Sequence, residues 1–239
     1  MAAAAEHSFR WAGRELTFSL RRAEVTRLRI EVHPDGTIAV VAPAHADSAA
    51  VIRRIEKRAP WIANQLDRFE RWRPRTPPRQ YVNGETHLFL GRQLRLKVVL
   101  GDGDEVRVDG DRLRVQVGEF NSRDTVARIV RQWFAEQAKS VLHERCREQL
   151  VVWRRHGVSP PGRVIVRELT NRWGSLTPSG ALVLNSDLVR ASPKLIDYVI
   201  GHELAHARYP DHGPQWRKLL TAVMPDWVER KDLLERQLL

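Results

Sequence analysis

The segment that most constrains the fold is residues 192–216, which read SPKLIDYVIGHELAHARYPDHGPQW. Ser192 suits a helix N-cap, and Pro193 suits the first helical position, where its missing N–H group has no partner to lose. Pro210 disfavours helical geometry at the residue before it, so the predicted helix ends near Arg208. Apolar residues lie on several sides of this helix, which is typical of a helix buried in a core.

The helix carries the sequence His-Glu-Leu-Ala-His, in which His202 and His206 are four residues apart. Residues at this spacing project from the same helical face, as two nitrogen ligands of a tetrahedral zinc ion must. Glu203 lies beside the pair, where it can deprotonate a metal-bound water without being a ligand. The alternative is that hydrogen bonds in the core satisfy these histidines, because a five-residue motif is a weak signal by itself.

A third candidate ligand, His212, follows in the turn that Pro210 begins. Pro214 can open another helix, so the turn is short and keeps His212 near the metal side of the first helix. Three of the chain's nine histidines thus lie within eleven residues. Three protein ligands with one open position are typical of catalytic zinc sites.

Several longer motifs surround the three histidines. They are RWGS at 172–175, LNSDL at 184–188, DYVIGHELAH at 197–206 and DHGPQW at 211–216. In these motifs the chain resembles the YgjP-like metallopeptidase family and, more distantly, the SprT-like zinc peptidases. A looser likeness covers the N-terminal half, including YVNGE at 81–85.

This resemblance implies a set of site residues. Zinc would be held by His202, His206 and His212, and Glu203 would be the catalytic base. Many relatives have a cysteine where Leu176 stands, so this chain lacks that thiol but keeps every expected ligand.

The predicted fold class is α+β, in two regions. Residues 1–120 form a β-rich region with one helix, and residues 73–80, rich in proline and arginine, form a linker. Strands are predicted within 8–42 and 81–118, and a helix over 49–72 with a break at its internal proline. The acidic segment at 102–105 is interpreted as a hairpin turn, not a calcium loop.

The second region, residues 121–239, is predicted to be zincin-like. A long helix capped by Asn121 or Ser122 runs to about residue 156, with a break expected near 139–140. Strands at 163–169 and 181–184 are expected to form a β-hairpin ahead of the HExxH helix.

Four residues are candidates for contact with substrate or transition state. Arg172, Trp173 and Gly174 would lie at the rim of an edge strand, which can bind a substrate backbone by strand addition. Arg172 could polarise a carbonyl, or could simply pair with an acid while Trp173 anchors the core. Tyr209 is a second candidate for stabilising the oxyanion.

Two carboxylates, Asp197 and Asp211, are candidates to orient a ligand histidine, since metal-bound histidines need such a partner. Cys146 is the only cysteine, so no intramolecular disulfide can form, which favours a cytoplasmic location. Its place in a predicted amphipathic helix indicates a buried small hydrophobe instead of a nucleophile.

Charge and hydropathy limit which partners the chain is expected to bind. The formal net charge of +11 can attract nucleotides or nucleic acid, although only six of the 40 basic residues are lysine, and heavy arginine use can reflect coding bias. No window is long and apolar enough for a membrane span, so no membrane partner is expected.

The function that follows is a zinc-dependent hydrolase. A metallopeptidase acting on a peptide or protein, through a zinc-bound water activated by Glu203, is the leading hypothesis. A metal-dependent nucleotide phosphohydrolase is a rival, because the same water can attack phosphorus. A nucleic-acid-associated SprT-like protease is the third hypothesis.

Overall fold

The computed structural model describes residues 5–33, 35–70, 79–118, 122–170 and 172–238. It divides into two compact units, residues 1–76 (unit 1) and residues 77–238 (unit 2). Residues 73–78 of the linker predicted at 73–80 lie outside the described residues. The predicted α+β class is confirmed, since both units combine sheets with helices.

Unit 1 is a four-stranded sheet with two helices. Its strands are β1 (Ala5–Trp11), β2 (Arg14–Ala23), β3 (Arg29–Val32) and β4 (Ile38–Pro43), followed by helices α1 (Ser48–Glu56) and α2 (Ala59–Glu70). The sheet order is β1-β2-β4-β3, with β2 and β4 parallel and both outer pairs antiparallel. Asp47 caps α1 by accepting a hydrogen bond from the Ala50 N–H group at 2.8 Å. The helix predicted over 49–72 is interrupted as expected, but the turn lies at residues 57–58 and Pro60 falls in the first turn of α2.

Alternating residues of β2 and β4 face the helices of unit 1. The fully buried members of this core come from both strands and both helices: Leu16, Phe18, Val40, Ala42, Val51, Ile55, Ala59 and Ile62. The apolar residues that alternate along the strands and those at helical spacing in α1 and α2 therefore pack together in one apolar layer.

Unit 2 begins with a second four-stranded sheet and a long helix. The strands are β5 (Thr86–Phe89), β6 (Arg92–Leu100), β7 (Glu105–Asp109) and β8 (Arg112–Val117), and the helix is α3 (Arg123–Arg154). The order β5-β6-β8-β7 repeats the pattern of unit 1, with a parallel central pair. Ser122 caps α3, which runs unbroken, so the break expected near 139–140 is wrong.

The acidic segment at 102–105 is not a hairpin turn, and that prediction is wrong. The strands on either side of it, β6 and β7, do not pair; β8 lies between them in the sheet. The segment is a crossover connection instead.

The rest of unit 2 builds the floor of a cleft. Its elements are β9 (Arg163–Arg167), β10 (Gly174–Leu176), β11 (Ala181–Asn185), a 3₁₀ helix (Ser186–Arg190), α4 (Pro193–His206), α5 (Pro214–Val223) and α6 (Trp227–Leu238). The three strands form a sheet of order β10-β11-β9. The predicted pairing of 163–169 with 181–184 as a hairpin is wrong, because β9 and β11 are parallel. The hairpin is β10–β11.

One core unites all of unit 2. Strands β6 and β8 bury Leu94, Leu96 and Leu113 against residues of α3 and α4. The division between units therefore lies near residue 76, not at the predicted boundary after residue 120, because the sheet at 86–117 belongs to the core of the second unit. Cys146 is buried in this core, as predicted. Among the described helices, none is long and apolar enough to cross a membrane.

Candidate metal centre

Helix α4 holds the first two histidines in the core of unit 2. Between Leu195 and Ala205 every residue is buried except His202, which is half-buried. This confirms the prediction of a buried helix. The helix ends at His206, and α5 begins at Pro214, so only a short connection carries His212.

The three imidazoles converge on one point. His212 Nε2 lies 3.1 Å from His206 Nε2 and 3.1 Å from His202 Nε2. One ligand atom from each of the three residues lies within 4.8 Å of the others. Nitrogens bound tetrahedrally to zinc at about 2.0–2.1 Å are roughly 3.3 Å apart, so this spacing fits one ion.

The surroundings of His202 and His212 disfavour the protonated form of both imidazoles. Burial, followed by the neighbouring His206 and His212, lowers the pKa of His202 to about 3. The pKa of His212 is also lowered, mainly by burial. A neutral imidazole is the form that binds a metal, so these histidines are better suited to binding a metal ion than to being protonated.

Neighbouring groups fix the orientation of the rings. His206 Nδ1 donates a hydrogen bond to the Tyr209 carbonyl at 3.1 Å, which leaves the Nε2 lone pair pointing at the other histidines. Tyr198 Oη lies 3.5 Å from His202 Nδ1. The backbone turn that follows α4 therefore orients one ligand through its carbonyl group.

Trp216 of α5, called the Trp216 platform below, is buried against all three rings, nearly parallel to that of His206 and at steep angles to the other two. Its ring centroid lies 4.8 Å from that of His202, 5.4 Å from that of His206 and 4.6 Å from that of His212. The side chain is only 2% exposed. The indole therefore restricts how far any of the three imidazoles can tilt.

The carboxylates that were expected to orient a ligand histidine act elsewhere. Both oxygens of Asp197 pair with the Arg145 guanidinium on α3, so that prediction is wrong for Asp197. Asp211 accepts a hydrogen bond from the Gly213 N–H group at 3.1 Å and so braces the start of α5.

Glu203 lies beside the histidines and is buried, with 8% of its surface exposed. Its Oε2 accepts a hydrogen bond from the Leu176 N–H group of β10 at 3.0 Å. Burial raises the pKa of Glu203 to about 7, against the opposing effects of that hydrogen bond and of Arg172. A carboxylate with this pKa can both take and return a proton near neutral pH.

The histidines and Glu203 open onto a cleft of about 800 Å³. Strand β10 forms one wall with Gly174, Ser175 and Leu176, and the loop at 159–162, with two prolines, forms another. Apart from Glu203 and the histidines, no charged residue is among the described residues that line it.

The structure places the four predicted contact residues differently. Gly174 lines the cleft, packed so closely against Glu203 that an added Cβ would lie 2.9 Å from its Cγ. Arg172 is exposed near the rim, with its Nη1 3.4 Å from Ser175 Oγ. The side chains of Trp173 and Tyr209 are not among the described lining residues; Trp173 packs on the core.

Three features of the site were missed from sequence alone: the Leu176 N–H group, the Trp216 platform and Asn185. Asn185 is buried, and its Nδ2 donates to the carbonyls of Leu169 at 2.8 Å and Arg172 at 3.2 Å, which orders the loop before β10. The sequence signals for Trp216 were its place in the DHGPQW motif and its position four residues after His212, and neither showed that its ring contacts the histidines.

An HExxH helix, a third histidine after a short turn and a buried glutamate define the class of metal-dependent hydrolases. Residues 26–237 match the YgjP-like, metallopeptidase domain family, and the chain therefore belongs to the YgjP-like metallopeptidases. No curated protein matches the sequence significantly. The crystal structure of the metallopeptidase zymogen of Methanocaldococcus jannaschii jannalysin is similar at 18% identity, over 41% of this chain and 97% of that chain, with a TM-score of 0.36. Family membership confirms the expected class of hydrolase and implies a divalent metal.

Proposed function

We propose that this chain is a zinc-dependent metallopeptidase in which His202, His206 and His212 hold the metal and Glu203 is the general base. The observation that carries this proposal is the convergence of three imidazole nitrogens beside a buried carboxylate on the cleft. Three neutral nitrogen donors suit zinc, whereas magnesium and calcium prefer oxygen ligands.

A zinc ion bound there supplies a Lewis acid that polarises a carbonyl and makes a coordinated water more acidic. Glu203 then takes the proton of the attacking water and passes it to the leaving nitrogen of the peptide bond. The Leu176 N–H group holds Oε2, so Oε1 is the oxygen that accepts this proton. Arg172, whose charge acts on Glu203, is the candidate for orienting the substrate carbonyl.

The edge strand β10 is where we expect the substrate backbone to bind. The flanking hydrogen bonds, Asn185 N–H to Trp173 C=O and Thr177 N–H to Ala181 C=O, fix the pairing of β10 with β11. Because hydrogen-bonding direction alternates along a strand, Gly174 and Leu176 turn their backbone groups away from β11. Because the Leu176 N–H group already binds Glu203, an extended peptide would add to this edge through the backbone groups of Gly174 and the Leu176 carbonyl.

The chemistry of the cleft favours a peptide over a nucleotide. A triphosphate is usually bound by several lysine or arginine side chains or by a metal-bearing acidic site. The described lining of this cleft contains neither lysine nor arginine, and prolines and small hydroxyl residues predominate. We therefore expect uncharged side chains next to the scissile bond, and the phosphohydrolase hypothesis is disfavoured.

The decisive test compares the wild type with Glu203→Gln on a library of quenched fluorescent peptides with neutral residues. The variant keeps the shape of the side chain but cannot accept the proton, so hydrolysis should fall about 100- to 10,000-fold. Metal content, measured by inductively coupled plasma mass spectrometry, should stay at one ion per chain. Unchanged hydrolysis would refute the role of Glu203.

A second experiment tests the proposed metal ligands and the alternative substrate, a nucleoside triphosphate, together. His212→Ala should lose both metal and activity, and chelation followed by zinc addition should restore the wild type. The same preparations are given nucleoside triphosphates. Phosphate release that follows metal content, without any peptide cleavage, would establish the phosphohydrolase instead.

A further inference from the structure

We propose that unit 1 binds single-stranded nucleic acid in a basic groove that has no part in the metal centre. The basic groove is formed by Arg27 on one wall and by Arg54, Lys57, Arg58 and Trp61 on the other, and its volume is about 540 Å³. This volume is within the usual range of about 300–1,000 Å³ for a ligand site. All five side chains are exposed.

The first step is the charge of the groove. None of its four cations forms an ion pair with an acidic side chain in the part of the chain that the structure describes. By contrast, Arg14 lies 2.6 Å from Asp67 and Arg53 lies 4.0 Å from Asp47 in the same unit. Four like charges that share one concavity without counter-charges attract an anion and release its counterions on binding.

The second step is the arrangement of these cations. Arg54 lies on α1, Lys57 and Arg58 lie in the turn between the helices, and Trp61 lies on α2, whereas Arg27 belongs to the segment before β3. A single phosphate needs donors that converge on one point. Cations spread along two walls suit the repeated phosphates of a nucleic-acid backbone.

The third step is the aromatic side chain among the cations. The Trp61 side chain is 42% exposed, and the half-buried Leu28 and Ile30 also line the groove. An exposed indole beside an apolar floor offers a stacking surface for an unpaired base, whatever the base. A duplex keeps its base faces covered, so this feature selects single strands.

The test uses fluorescence anisotropy to measure binding of the full chain to a fluorescein-labelled single strand of about 12 nucleotides, prepared as DNA and as RNA. Arg54→Gln is compared with Arg53→Gln. Both changes remove one positive charge from adjacent positions of α1, but only Arg54 lines the groove. Arg54→Gln should weaken binding and reduce the salt slope by about 0.7, whereas Arg53→Gln should do neither.

A second pair of variants isolates stacking. Trp61→Ala should weaken binding about ten-fold, and Trp61→Phe should recover most of the loss because it keeps an aromatic face. Circular dichroism and zinc content should be unchanged in both, since Trp61 is exposed and belongs to unit 1.

Three outcomes would overturn the proposal. The first is an equal loss in Arg53→Gln and Arg54→Gln, which would indicate attraction by net charge alone. The second is tighter binding of the duplex than of either single strand. The third is preference for a phosphopeptide or for vesicles of anionic lipid over the oligonucleotide. Each is independent of peptide cleavage, so failure here would not affect the proposed metallopeptidase activity.

Discussion

Gly174 sets how closely strand β10 approaches Glu203, the proposed general base. A Cβ atom there would lie 2.9 Å from Glu203 Cγ, 3.1 Å from its Oε1 and 3.2 Å from Val199 Cγ1. We expect Gly174→Ala to displace the carboxylate and to destabilise the fold by about 1–3 kcal/mol, as overpacking does. The kcat for peptide hydrolysis should fall much more than KM rises, while zinc content stays unchanged.

A matched control for this variant is Gly118→Ala. No atom of the described residues lies within 4 Å of a Cβ atom at Gly118, so the same substitution there should leave both kcat and the free energy of unfolding near the wild-type values. If Gly174→Ala were as active as Gly118→Ala, the contact between β10 and Glu203 would not matter for catalysis.

Glu85 makes a pH-dependent contribution to stability. Burial acts to raise its pKa, but hydrogen bonds from the Gln80 and Tyr81 N–H groups, together with His87, lower the pKa below the ordinary value of a glutamate. Because the folded-state pKa is depressed, the stabilisation is present above the unfolded-state pKa and is lost as pH falls through the folded-state value. Glu85→Gln should therefore lower the free energy of unfolding by about 1 kcal/mol at neutral pH.

The measurement is chemical denaturation of wild type and Glu85→Gln at neutral pH and at a pH below both pKa values. The difference between the two proteins should shrink at acidic pH, where the wild-type carboxyl is protonated. A difference that stayed constant across this range would mean that the charge of Glu85 contributes nothing.

At the level of elements, helix α4 was the most predictable part of the site. Its cap, its histidine spacing and its apolar faces are all local features, so they can be read within a few residues. The contacts that complete the centre come from other elements, namely the Leu176 N–H group of β10 and the Trp216 ring of α5. Sequence spacing within one helix carries no information about such neighbours.

Strand pairing was less predictable than strand position. The sequence indicated strands near 163–169 and 181–184, and both exist as β9 and β11. Alternation of apolar and polar residues does not specify the partner or direction of a strand, and adjacent strands in sequence usually pair antiparallel. The three-residue strand β10 is too short to leave a periodic pattern, yet it is the strand that contacts Glu203.

We expect helix α5 to contribute to metal affinity at the proposed site through Trp216. We expect Trp216→Leu to weaken zinc binding about 10- to 100-fold, because ligand rings that lose their support become misaligned. Competition with a fluorescent chelator measures the dissociation constant. The control is Trp227→Leu, since Trp227 packs on Trp216 at 5.7 Å but contacts none of the three histidines among the described ring pairs. Equal losses in both variants would point to general destabilisation.

Helices α3 and α4 are joined by the Arg145–Asp197 ion pair. The Asp197 side chain is 11% exposed and that of Arg145 is 24% exposed, so the pair is partly desolvated. Asp197→Leu alone leaves Arg145 partly buried with Glu148 as its remaining partner, and should cost about 2 kcal/mol, less than an unpaired buried charge would. The double variant Arg145→Met with Asp197→Leu should recover most of this loss in thermal or chemical unfolding. A double variant less stable than the single one would refute this account of the pair.

On the scale of the whole molecule, the two four-stranded sheets share one topology. Orders β1-β2-β4-β3 and β5-β6-β8-β7 have the same alternation of antiparallel, parallel and antiparallel pairs. The helices that cover them differ, since α1 and α2 close the first unit, whereas α3 joins the second sheet to the metal-binding part. The change from predicted strands to predicted helices near residue 120 favours a domain boundary there. Such a change does not reveal that the strands before it and the helices after it share one core.

The last prediction tests this division by truncation. A fragment of residues 77–239 keeps the core of unit 2 and should fold cooperatively and bind one zinc ion. A fragment of residues 121–239 lacks β6 and β8, which bury Leu94, Leu96, Leu113, Val115 and Val117. Each buried aliphatic side chain contributes about 1.5–3 kcal/mol, so their loss is comparable to the whole stability of a domain, about 5–15 kcal/mol. The shorter fragment should therefore be unfolded by circular dichroism and bind zinc only weakly. A folded, zinc-binding 121–239 fragment would place the domain boundary after residue 120 and would make the second sheet dispensable for the metal centre.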